Sequence, residues 1–297
     1  MTSSASHPRA EAGTLAIVTP SRIGTAQRAA FARASLAELQ ELLGASFAHI
    51  VVDDAPRCRG RLLGIVPGRL TRRIPNLAFY RAAKQIYASG GKVDFLRGDG
   101  GNSLTALRKA LARATERRCA YAFIHLDDNA YAPTLGALVA ASVAAMDSLP
   151  ELNLVRLSAY PILTGACDRE RGNMSLCERF GDTVRFDSVT LRPARQNGFT
   201  VWRSPWEAST ADGRFWPVML WNAVYRIGFL EQLLRHDAVA DLPGLGPVEA
   251  WYKTHWQTAW PRLAGSFGFI NMQFAGLERE RNLNWRDLVG LPNRPIL

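Results

Sequence analysis

Cysteine is scarce in this chain. The four present in 297 residues, Cys58, Cys119, Cys167 and Cys177, show neither CxxC spacing nor a metal-finger pattern. That excludes a disulfide-stapled secreted scaffold and fits a reduced compartment. Long hydrophobic runs are missing too. Leu135 to Met146, the most apolar uninterrupted stretch after residue 129, is far shorter than the ~20 residues that cross a bilayer. Met1 to Gly13 is polar and Ser/Ala-rich, with no apolar centre, and reads as a disordered lead-in rather than an export signal. These features predict a cytoplasmic protein, with peripheral contact at the inner membrane face as the one form of membrane attachment open to it. There is no fixed-period repeat or low-complexity tract, and 24 Gly with 16 Pro is ordinary usage, so a solenoid is excluded. The absence of GxSxG, HExxH and DxDxT runs removes the acyl hydrolase, zinc protease and phosphatase readings.

Acidic residues are the minority: 26 Asp and Glu stand against 36 Lys and Arg, a formal charge of +10. Anionic partners follow, such as nucleotide phosphates, nucleic acid or an acidic membrane surface. Six arginines fall between Arg57 and Arg73, but Leu62, Leu63, Ile65, Val66 and Leu70 alternate with them, as on a solvated basic face. The segment holds no aromatic residue for stacking bases, so no nucleic acid partner is expected.

What is present is an alternation of short apolar β-branched runs with helical patterns, in a chain that is 47% hydrophobic. Leu15 to Thr19 reads as a buried strand stopped by Pro20. Thr25 to Leu43 reads as a helix ended by Gly44, and Phe47 to Val52 as a second strand running into Asp53-Asp54. Helices are then predicted over Leu77 to Ala88 and over Ser103 to Thr115, the latter with Ser103 as N-cap, and a strand over Lys92 to Leu96. The strand Tyr121 to Leu126 runs into Asp127-Asp128-Asn129, and a helix covers Thr134 to Met146. This order predicts an α/β fold with a mostly parallel sheet. Asn153 to Ser158 and Thr183 to Leu191 read as strands of a mixed extension.

Acidic residues at the carboxyl ends of two parallel strands share one sheet edge, where open α/β folds bind ligands. Asp127, Asp128 and Asn129 offer hard oxygen donors of the kind that magnesium and manganese take. A lone acidic triplet is a common turn, and the second pair, Asp53-Asp54, is what gives it weight.

The segments LAIVTPSR, HIVVDDAPR, NSLTALRKALARA and YAFIHLDDNAYAP together resemble the nucleotide-binding half of the inverting family-two glycosyltransferases. The resemblance covers roughly the first half of the chain. It implies a GT-A-like, Rossmann-type nucleotide-binding sheet with a C-terminal acceptor-side region. Residues 14–150 would be the nucleotide-sugar-binding half and 151–297 the acceptor-binding half of the same domain. Thr19, Pro20, Ser21 and Arg22 would border the base, Asp53 or Asp54 the uracil or ribose, and Arg108 the donor pocket. Asp127-Asp128-Asn129 would stand for the DxD motif that holds ribose and metal. The third position of that motif is here the neutral Asn129, so either Asp128 takes over ligation of the divalent metal, manganese or magnesium, or basic groups do its work.

An inverting transfer needs a base, usually a carboxylate, to take the acceptor proton. LWNAVYRIGFLEQLL followed by GPVEAWYKTHW is similar to the family's acceptor helix and Glu-Asp region. The pair is Glu249-Ala250 here, so Glu249 carries over as base, with Asp241 as second candidate. A helix-capping role for Glu249, near a helix start at Pro247, is the competing reading. His255 on that helix is a candidate to face the pyrophosphate or a metal. All eight Trp lie between Trp202 and Trp285; most would build core, and one or two at a cleft would suffice to stack a sugar. The expected activity moves a sugar from a nucleotide-diphosphate donor to a hydroxyl of a saccharide or glycoconjugate acceptor, in polysaccharide or glycoconjugate synthesis.

Two readings compete. Gly98-Asp99-Gly100-Gly101-Asn102-Ser103 follows a predicted strand and opens a helix, the context of a dinucleotide fingerprint and of an oxidoreductase. Its last glycine is Ser103, and it does not follow the first strand, where the chain has Pro20-Ser21-Arg22. A non-enzymatic anion- or nucleic-acid-binding protein is the other alternative, resting on the net charge.

Overall fold

A first strand of the sequence Ala16-Ile17-Val18, with no exposed surface at all, can only sit inside a sheet covered on both faces. The computed structural model describes residues 14–44, 47–54, 77–88, 93–98, 102–127, 129, 131, 134–157, 177–180, 183–186, 189–205, 218–259 and 265–270. Strand and helix alternate as β1 (Leu15–Ser21), α1 (Ala26–Leu43), β2 (Ala48–Asp53), α2 (Leu77–Ala88), β3 (Val93–Arg97), α3 (Ser103–Glu116), β4 (Tyr121–Ile124), α4 (Leu135–Ser148) and β5 (Leu152–Arg156). Then come β6 (Cys177–Phe180), β7 (Thr183–Phe186), β8 (Val189–Gln196), β9 (Phe199–Pro205) and β10 (Ala223–Arg226). The described chain ends with α5 (Ile227–Arg235), α6 (Asp237–Ala240), α7 (Leu245–Ala259) and β11 (Ser266–Phe269).

The strands form one sheet in the order β3-β2-β1-β4-β10-β5-β11-β9-β8-β7-β6. From β3 to β11 every strand points the same way except β10, which is antiparallel to both β4 and β5. The far end is an antiparallel meander, β9 to β6. The stretch 183–191, expected as one strand, is divided between β7 and β8, which pair Phe186 with Val189 in a tight hairpin. Apolar composition alone does not mark that reversal.

Side chains alternate between the two faces of the sheet. Ala16, Val18, Ile50 and Val52 pack with Leu104, Leu107 and Leu111 of α3 and with α5 and α7. Ile17, Tyr121 and Phe123 pack with Leu39 of α1 and with α4. Val51 packs with Ala29, Ala32 and Leu36 of α1 and Ala83, Ile86 and Tyr87 of α2. Thr25 caps α1 by accepting the Arg28 N–H, and Gly44, at φ +69, closes it in the left-handed region that glycine tolerates. α3 is capped by Asn102, not Ser103: the Asn102 side-chain oxygen reaches the N–H groups of Leu104 and Thr105. Ser103 is helical, and its hydroxyl accepts the Leu245 N–H at 3.3 Å.

Pro20 does not stop β1. The strand continues to Ser21, pairing with β2 through Asp53, whereas its pairing with β4 ends at Val18. Val18 gives its carbonyl to His125 N–H on the β4 side and Ser21 gives its carbonyl to Asp54 N–H on the β2 side. By that alternation Pro20 faces the β4 side, where the ladder is already over and the missing N–H costs nothing.

Candidate functional site

The chain order turns back between β1 and β4: β2 and β3 lie on one side of β1, and β4 on the other. This is a topological switch point, and the crevice outside the carboxyl ends of its strands is where open α/β sheets take ligands. Four predicted donor-site residues meet here. Asp127, just past β4, is 2% exposed. Its carboxylate joins the ends of β4 and β1, accepting the Ser21 hydroxyl at 3.0 Å, the Arg22 N–H at 2.9 Å and the Arg28 guanidinium at 2.9 Å. Asp54, past β2, is equally buried; its carboxylate accepts the Asn102 N–H at 3.0 Å, and its own N–H goes to Ser21. Asp53 is buried, and its carbonyl accepts the Gly98 N–H at 2.8 Å. A Cβ at Gly98 would lie 2.5 Å from that carbonyl oxygen, so only glycine lets the end of β3 approach so closely. The Arg22 side chain is exposed at this edge. Asp128 lies outside the described residues, as does the arginine segment 57–73.

Thr19 is buried below the crevice, in a polar layer between the sheet and α1. Ser35 of α1 donates its single hydroxyl proton to the Asn129 carbonyl at 2.5 Å, so it accepts from His125 Nε2 at 2.9 Å. His125 Nδ1 is then bare and accepts the Thr19 hydroxyl at 3.1 Å, and Thr19 in turn accepts His49 Nε2 at 2.9 Å. Each proton position follows from the one before. Burial pushes both imidazoles down to about 3, His125 adding to the effect on His49, so both are neutral. Asn129 is 4% exposed, and its side-chain Nδ2 has no hydrogen-bond partner among the described residues.

A second buried group lies on the same edge, at the end of β5 and the segment that enters β10. Glu249 of α7 is 8% exposed and accepts the Leu220 N–H at 2.5 Å. Burial raises its carboxyl to about 7, against the lowering effects of that hydrogen bond and of Arg156. Arg156 has no exposed surface; burial draws its guanidinium down to about 10, and it meets the Met219 sulfur at 2.8 Å. The Tyr225 hydroxyl donates to the Met219 carbonyl. Three buried polar side chains thus converge on Met219 and Leu220. Glu249 lies inside α7, which begins at Leu245 rather than near Pro247.

Other predicted residues are placed elsewhere. Arg108 gives its guanidinium to the carbonyls of Ala240, at 2.7 Å, and Leu234, closing the ends of α6 and α5. Asp241 is exposed at the C-terminal cap of α6. His255 is exposed and stacks on Trp251, with ring centroids 5.0 Å apart and planes at 13°. Trp202 and Trp251 pack against the core, as expected of most tryptophans in this chain. Among the described residues no group of three or more His, Cys, Asp or Glu comes together to hold a metal ion, and the Asp127 oxygens are already engaged by protein donors. The predicted ligand Asp128 lies outside the described residues.

No protein-family model and no curated protein matches the chain. Two solved structures of S. aureus TarS 1–349 are similar to it. One, in complex with UDP, has 11% identity and a TM-score of 0.43. The other has 12% identity and a TM-score of 0.41. Each match covers 86% of this chain, which spans 57% of the length of the matched chains. At those values function has to be read from the site's own geometry.

That geometry bears on the dinucleotide alternative. The N-terminus of α3, which follows the Gly98–Ser103 run, has its first N–H groups taken by Asn102 and the Asn102 N–H taken by the Asp54 carboxylate. An internal carboxylate stands where a pyrophosphate would need to bind. Sequence reading missed Arg28, Ser35, His49, His125 and Arg156. The available signal was a polar residue inside an apolar strand, His49 in FAHIVV and His125 in FIHL.

Proposed function

We propose that the chain is an inverting glycosyltransferase of GT-A type, moving a sugar from a nucleotide-diphosphate donor to a hydroxyl of a saccharide or glycoconjugate. The observation that carries this reading is that one sheet edge holds both parts such a reaction needs. At the switch point the strand ends bring together Asp53, Asp54, Asp127 and Arg22. On the same edge sits a buried carboxyl, Glu249, raised to about 7.

In this reading the nucleoside docks at the switch point, with the buried aspartates fixing the strand ends that receive it. The acceptor oxygen attacks the anomeric carbon as the bond from that carbon to the diphosphate oxygen breaks. The electron pair leaves with the diphosphate, and the acceptor proton passes to Glu249. A carboxylate with a pKa near the working pH is well matched to that transfer. Exposed Arg22 supports the departing charge by fixed electrostatics. Asp241 stands as the second base candidate. Asp128 and Asn129 would hold manganese or magnesium in this reading, and the ion would offset the charge of the departing diphosphate. Peripheral contact with a membrane and a role in polysaccharide synthesis remain part of the proposal.

A thermal-shift panel of uridine, guanosine and thymidine diphosphate sugars, with and without manganese, tests it. Donor binding stabilises the fold as ln(1 + [L]/Kd). A rise in melting temperature selective for one base is expected; no rise with any of them would refute the reading.

A further inference from the structure

Helix α1 holds the chain after β4 at every second residue. Arg28 binds the Asp127 carboxylate at 2.9 Å, Ser35 donates to the Asn129 carbonyl at 2.5 Å, and Glu38 accepts the Tyr131 N–H at 2.8 Å. At ~100° per residue these three side chains fall within about 80° of one another around the helix. They are one stripe, and the residues they hold advance in the same order along α1. The three contacts differ in kind: cation to carboxylate, hydroxyl to carbonyl, carboxylate to amide.

Such an arrangement is a costly way to hold a loop. Burial raises the Glu38 carboxyl, Asp127 is 2% exposed, and Asn129 and Tyr131 are buried. Apolar side chains of similar size would attach a loop to a helix without desolvating charge. What polar contacts to individual backbone groups add is a fixed position for each residue. The position fixed here is the mouth of the switch-point crevice, since the Asp127 carboxylate also binds Ser21 and Arg22 at the end of β1. The histidine relay leads to the same place: His125 is bonded to Ser35, which is bonded to Asn129.

We infer that Ser35 and Glu38 are positioning residues. They set the height of Asp127 and Asn129 over the crevice and, through them, the affinity of the site for a nucleoside diphosphate. The second half of this statement rests on the donor-site reading; the first does not.

The test uses the full chain with Ser35→Ala, Glu38→Ala and the conservative pair Ser35→Thr and Glu38→Gln, which keep the hydroxyl donor and the carbonyl acceptor. Two quantities are measured: hydrogen-exchange protection of the peptide spanning residues 126–131, and the dissociation constant for uridine diphosphate with guanosine and thymidine diphosphates beside it. Each alanine variant should lose protection in that peptide alone and bind the preferred diphosphate roughly 3- to 10-fold more weakly, as follows from losing the one hydrogen bond that each side chain makes to the backbone of residue 129 or 131. The conservative variants should recover both. KM for the donor should rise with kcat little changed. Unchanged exchange in both alanine variants overturns the inference, and so does a loss of protection spread over the whole protein. If the wild-type protein binds none of the three diphosphates, the donor reading falls, and the exchange result alone decides whether α1 positions Asp127 and Asn129.

Discussion

Arg28 meets Asp127 at 2.9 Å, and the carboxylate it meets is nearly inaccessible to water. Three protein donors converge on that one group, so its loss removes the acceptor that the Ser21 hydroxyl, the Arg22 N–H and the Arg28 guanidinium share. Asp127→Ala should abolish binding of the nucleotide donor and also lower stability by about 1–3 kcal/mol, the cost of buried donors left unmet. Arg28→Ala in the Asp127→Ala background should add little, because the two act as a unit. Calorimetric melting and nucleotide titration of the single and double variants check this, and additive losses would contradict it.

Glu249 gives two signs at once. As base it must be deprotonated, so turnover should fall as pH drops through about 7. Glu249→Gln should keep donor affinity and lose ~10²–10⁴-fold in turnover. Stability runs the other way. The folded carboxyl is raised from 4.5 to about 7, so this group's own contribution to stability is fully present below 4.5 and is lost as pH rises from there to about 7. The Gln variant should flatten this slope. A helix-capping role predicts no change in turnover; the exposed Asp241 is then the base to test through Asp241→Asn.

His49 and His125 make the fold acid-labile. Each is held at about 3 against 6.5 when unfolded. Their contribution is therefore present above 6.5 and is lost as pH falls toward 3, at up to ~1.4 kcal/mol per pH unit for each. Melting temperature should decline steeply below 6.5. In a His49→Gln/His125→Gln double variant the curve should start lower at pH 8 and be flatter on the acid side. A parallel slope in both proteins would show that other groups dominate.

Asn129→Asp places a carboxylate where an amide is 4% exposed, with Nδ2 unpartnered among the described residues. Buried without a counter-charge, it should lower the melting temperature in metal-free buffer. If Asp128 and this position take a divalent ion, manganese should restore the loss and raise the variant more than the wild type. A manganese response no greater than that of the wild type would remove residue 129 from any metal site.

The β/α alternation through Arg156 was legible because each strand announces itself in a handful of adjacent residues, and Asp53, Asp54 and Asp127 were legible as the polar ends of such runs. Periodicity is local information, and it carries no record of which strands become neighbours. Nothing in the segment Ala223–Arg226 says that it will lie between β4 and β5. Ser35 and Glu38 look like ordinary positions of an amphipathic helix; their partners Asn129 and Tyr131 lie more than 90 residues downstream. Arg108 misled for the same reason. On α3 it stands close in sequence to β4 and Asp127, yet its reach is to the carbonyl ends of two helices that follow β10.

The placement of β10 has a consequence for synthesis. Val224 pairs with Phe123 on one side and Val155 on the other, so the strand that separates β4 from β5 is supplied long after both have been made. Until then β4 presents a bare row of backbone groups, a template for mispairing with another chain. The sequence up to Arg156 therefore cannot close its own sheet, and a fragment cut there should aggregate rather than fold. Assembly of the nascent protein should therefore wait for β10 to emerge, and a pairing of such long range predicts slow folding.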